Sequence, residues 1–76
     1  MITLQTRPHA DAPWQAVQHF ERFLPQMRET IVRSTLEARM YDQAQDRVLV
    51  QSLPALGFPV QNLNPEQLED AVRLFA

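Results

Sequence analysis

The sequence has no cysteine and no lysine, and it has a single glycine. Without cysteine there is no disulfide framework, no thiolate nucleophile and no cysteine-ligated zinc. Without lysine there is neither a Schiff base nor the phosphate contact of a P-loop, and one glycine cannot build a phosphate-cradling loop. Two histidines, His9 and His19, are too few for an all-histidine metal site, and an exposed connection explains His9 and Asp11 better than a metal corner does. The serines are Ser34 and Ser52, neither in a G-x-S-x-G elbow. Catalysis needs a nucleophile, an acid/base pair or a metal held by a scaffold. None is legible, so the chain reads as a non-enzyme with no catalytic residue, metal, cofactor or small-molecule substrate.

Long apolar runs are missing too. No window approaches the roughly 18 residues of a membrane span. Met1 to Ala10 lacks the basic start and apolar core of a secretory signal. The expectation is a cytoplasmic protein with no membrane contact. Nor does one sign of charge dominate: seven arginines against nine acids leave a formal net charge of −2. The arginines are dispersed among acids, without the basic cluster that tracks phosphates. Nucleic acid is therefore not the expected partner.

What is present is 76 residues, 45% of them hydrophobic, enough for one domain. A chain this short buries only about 60–65% of its unfolded surface. Small domains compensate with disulfides, a metal, oligomerisation or regular helix packing. The composition leaves the last two.

Along the chain, Ile2 and Leu4 alternate with polar neighbours, which gives a short strand or extended arm within residues 1–10. A first helix is expected over 11–24. Asp11 would cap it, Pro13 would lie in its first turn, and Trp14, Val17, Phe20, Phe23 and Leu24 would share a broad stripe. Pro25 ends that helix and opens a second one over 25–53. No proline or glycine interrupts Gln26 to Leu53, and Glu29 and Arg33 make a favourable i,i+4 pair. Val48 to Val50 fit a strand as well as a helix, and length favours helix. Pro54, Gly57 and Pro59 punctuate an apolar loop over 54–63. A third helix over 64–76 carries the clearest signals: Asn64 as cap, Pro65 at the first position, Gln67 completing a capping box, and Leu63 and Leu68 as a staple. The expected fold is all-α, a small three-helix unit with a long central helix.

Projected at about 100° per residue, the central helix has two apolar faces. Met27, Ile31, Ala38, Tyr41 and Leu49 lie on one; Val32, Leu36, Met40 and Val50 lie on the other. Either the two short helices cover one face each, or a second chain covers one of them. A helix of about 40 Å is too long for the short helices to cover fully, which favours the second chain. The functional reading is a non-catalytic protein–protein interaction module: a small regulator, adaptor or inhibitor. It docks through the central helix, as a homodimer or as a subunit of a larger complex. The candidate interface is Val32, Leu36, Arg39, Met40, Tyr41 and Val50. Arg39 offers an anchor for a partner carboxylate, while Trp14, Met27, Met40 and Tyr41 fit hot spots or plain core. The alternative is a small dimeric DNA-binding transcriptional regulator that uses Met1 to Arg7 as a β-ribbon, with Arg7 as the only cation in that segment.

Overall fold

The computed structural model describes residues 1–52, 54 and 63–75. It corrects the all-α expectation: the protein is α+β. The order is β1 (Ile2–Arg7), β2 (Gln15–Phe20), α1 (Pro25–Val32), β3 (Glu37–Asp42), β4 (Arg47–Gln51) and α2 (Pro65–Arg73). The strands form one antiparallel sheet in the order β2-β1-β3-β4.

β1 is the sheet's interior, not an arm. Its period of two sends Ile2, Leu4 and Thr6 inward, at 8, 0 and 7% exposure. It pairs with β2 on one side and β3 on the other, which leaves no edge for a ribbon shared between two copies.

The helix expected over 11–24 is replaced by β2. Leu4 pairs with Gln18 and Gln5 with Ala16, so Val17 is a surplus residue in a bulge. Val17 and Phe20 both pack on the core although three residues apart. The bulge thus turns strand spacing into an imitation of helical spacing.

The helix expected over 25–53 is real only over its first eight residues. Pro25 opens α1, Met27 and Ile31 are fully buried on its inner side, and Glu29 pairs with Arg33 at 3.6 Å. Thr30, Ile31, Val32, Ser34 and Thr35 are all weaker helix formers. The buried Ser34 hydroxyl accepts from the Leu36 amide at 3.1 Å, an alternative to the next helical bond. The remainder is a hairpin, β3 and β4, whose turn contains no glycine. Asp46 takes the left-handed conformation at φ 51°, which aspartate tolerates better than most residues. The Asp42 carboxylate accepts from the amides of Ala44 (3.0 Å) and Gln45 (3.4 Å) and closes the bend. Met40 pairs with Val50 and Tyr41 with Val48, so Leu49 is a second surplus residue.

The two apolar faces of the expected central helix therefore do not exist. Ala38, Met40 and Val50 point to one side of the sheet, where Met27 and Ile31 of α1 and Leu68 and Val72 of α2 cover them and Leu4. Both helices lie on that side, and the core fills the space between the layers.

α2 begins where its signals place it. The Gln67 amide donates to Asn64 Oδ1 at 2.8 Å, and the Asn64 amide donates to Gln67 Oε1 at 3.0 Å. Asn64→Ala is expected to remove about 1 kcal/mol. A urea melt would show this as a lower midpoint at constant slope, and an unmoved midpoint would deny the cap any role. The expected apolar loop over 54–63 lies outside the described residues except for Pro54 and Leu63; Gly57 and Ala76 lie outside them as well. Among the described residues, no helix is long and apolar enough to cross a membrane.

Candidate functional site

Two short helices cover only one side of a sheet. On the other side the strands present their out-of-phase residues. β1 contributes Thr3, Gln5 and Arg7, and β3 contributes Glu37, Arg39 and Tyr41. The register sets Thr3 opposite Tyr41, Gln5 opposite Arg39 and Arg7 opposite Glu37. β2 adds His19 opposite Thr3 and Ala16 opposite Gln5, and β4 adds Gln51 opposite Arg39. Trp14, just before β2, folds over this layer.

The contacts centre on Arg39. Its Nε donates to Gln5 Oε1 at 2.6 Å. Its guanidinium carbon lies 4.4 Å from the centroid of Trp14 and 5.2 Å from that of Tyr41. Arg7 approaches the same indole, at 4.1 Å. One tryptophan thus carries two guanidinium groups, each drawn to the negative π-face. Arg7 also donates through Nη2 to Glu37 Oε2 at 3.2 Å, while its buried Nε has no hydrogen-bond partner. Thr3, wholly buried, hydrogen-bonds through Oγ1 to His19 Nδ1 at 3.0 Å. The Tyr41 hydroxyl donates to the Asp46 carboxylate.

On this face Arg7 is ion-paired with Glu37, and Arg39 has no such pair: the ion pairs among the described residues are Arg7–Glu37, Arg33–Glu29 and Arg73–Glu69. Burial, and then the neighbouring charge of Arg7, hold the Arg39 guanidinium below its ordinary pKa. It remains a cation all the same, because arginine does not deprotonate in proteins. The groups gathered here are a fixed cation, two aromatic rings and amide groups. Among the described residues no three metal-ligating side chains converge.

The six residues of the expected interface are not brought together. Met40 and Val50 are core, at 0 and 6% exposure, and Val32 and Leu36 pack half-buried against it. Arg39 and Tyr41 alone reach the open face, where Gln5, Arg7 and Trp14 join them. The signal for this grouping was present in the alternation of Glu37, Arg39 and Tyr41 with Ala38 and Met40, which a helical projection scrambles. Comparison with known families, curated proteins and solved structures gives no match for this chain.

Proposed function

We propose that the chain is a non-catalytic protein-binding module, a small regulator, adaptor or inhibitor, whose docking surface is the open face of the sheet. The observation that carries this reading is Arg39: a cation without a carboxylate partner among the described residues, set between Trp14 and Tyr41 on the side that no described helix covers. Tryptophan, tyrosine and arginine are the residue types that dominate binding energy at protein interfaces. The edges of the sheet are poorer candidates. Each edge strand carries a bulge, at Val17 and at Leu49, and bulges interrupt the regular ladder that an added strand would need.

Photo-reactive residues test the reading. Placed at Ala16 and Gln51, they flank Arg39 without replacing it; placed at Gln26 and Glu29, they lie on the exposed side of α1. In the source cell, both open-face positions are expected to cross-link the same protein, and the α1 positions are expected to give no such adduct. Adducts from α1 alone, or from neither side, would overturn the assignment.

A further inference from the structure

We infer that the open face takes an extended acidic segment of a partner protein, with one carboxylate seated on Arg39 beside Arg7. This rests on the docking surface proposed above and names the chemistry of its occupant.

Arg39 is a guanidinium held in place with its donors unspent. Nε is committed to Gln5, and the two terminal nitrogens carry four N–H groups with no acceptor among the described residues. Trp14 and Tyr41 restrict the fork, so little freedom remains to be lost on binding. Arg7 adds a second positive charge against the same indole; Glu37 pairs with Arg7, and Asp46 is held by the Tyr41 hydroxyl, so neither is ion-paired with Arg39. A carboxylate on the Arg39 fork supplies a paired negative charge and the planar acceptor that a guanidinium matches best.

Size decides between a segment and a folded surface. Four strands of five or six residues span about 20 Å by 20 Å, and with Trp14 lying over Arg7 and Arg39 and Thr3 wholly buried they present less than roughly 400 Å², against roughly 800 Å² per partner in a standard interface. That area suits a short extended chain. A second copy of this protein fits poorly, because two-fold packing of this face would bring Arg39 towards its own symmetry mate. Single-stranded nucleic acid also uses aromatic and basic sheet faces, but it needs a groove of cations along its backbone. Here the face offers two cations, Arg7 and Arg39, and the carboxylates of Glu37 and Asp46 stand among them.

Trp14 is the only tryptophan in the chain, so its emission reports directly from the site. The full chain would be titrated with an end-blocked hexaglutamate peptide, with hexaglutamine, and with a thymidine oligonucleotide. Hexaglutamate is expected to give a saturable change that weakens with salt, with no saturation by the other two probes. Arg39→Gln is expected to weaken hexaglutamate binding about tenfold or more. Arg28→Gln, which removes the same charge from α1, should leave it unchanged. Glu37→Gln frees Arg7 and is expected to tighten binding several-fold, a gain that misfolding cannot produce. The inference is overturned by an unsaturable response to hexaglutamate, by equal effects of Arg39→Gln and Arg28→Gln, by no gain from Glu37→Gln, or by tighter binding of the oligonucleotide. If hexaglutamate fails while Ala16 and Gln51 still cross-link a protein, the docking face stands and the acidic occupant falls. If the cross-links fail too, both fall.

Discussion

Leu4→Ala is expected to leave the protein largely unfolded. Leu4 is fully buried in a central strand, with Gln18 opposite it on β2 and Met40 on β3, beneath side chains from both helices. Replacing such a leucine by alanine costs about 3–5 kcal/mol, as lost transfer energy plus an unfilled cavity. A single core in a chain under about 80 residues rarely supplies more than about 3–5 kcal/mol in all. The two figures meet, and no disulfide adds to the core. Far-ultraviolet circular dichroism with a urea titration would show a lost or strongly left-shifted transition. The result also separates two folds. If residues 1–10 were an arm beside a helical bundle, Leu4→Ala would cost little. A transition that moves by less than about 1 kcal/mol would therefore count against the sheet described above.

Ser52→Ala is expected to cost about 2 kcal/mol although it removes one oxygen atom. The Ser52 hydroxyl, fully buried, accepts from the Ala38 amide at 2.8 Å and donates to the Leu36 carbonyl at 2.6 Å. It thereby fastens the start of β3 to the chain leaving β4, beside the backbone bond from the Ser52 amide to the Ala38 carbonyl at 2.8 Å. Alanine would leave a buried N–H with no acceptor and a partly buried carbonyl with one donor fewer. Ser34→Ala is the useful comparator. Its hydroxyl serves one described amide, that of Leu36, so a loss of about 1 kcal/mol is expected. Equal losses at the two serines, measured by chemical denaturation, would rule out the double role of Ser52.

Features encoded locally could be read from the chain. The Asn64–Gln67 box, Pro65 and the inward pair Leu68 and Val72 place α2 because each signal lies within one or two turns of the next. Pro25 opens α1 and the Glu29–Arg33 pair forms for the same reason. Two devices hid the sheet. A hairpin normally announces itself by glycine or asparagine–glycine, but here Asp42 and Asp46 make the turn, and their residue type also suits a solvated helix face. A strand normally announces itself by alternation, but the bulge at Val17 places two inward residues three apart, as a helix would. The site shared this fate. Arg39 and Tyr41 were identifiable as binding residue types, yet Arg7 and Gln5 join them only through pairings between strands 30 or more residues apart along the chain, as in the Arg7–Glu37 and Gln5–Arg39 bonds, and Trp14 joins through its ring contact with Arg39. No local spacing encodes such neighbours.

The two surplus residues also govern how this chain can change length over evolutionary time. In β1 and β3 the stretches Ile2 to Thr6 and Arg39 to Asp42 have a partner on both sides, so one inserted or deleted residue would exchange inside for outside along the rest of the strand. At Val17 and Leu49 the ladder already accommodates an extra residue and has a neighbouring strand on one side only. Gaps in an alignment of related chains belong at those two points and in the turn from Gln43 to Asp46. An alignment that opens them within Ile2–Arg7 or Glu37–Asp42 would be out of register with the fold.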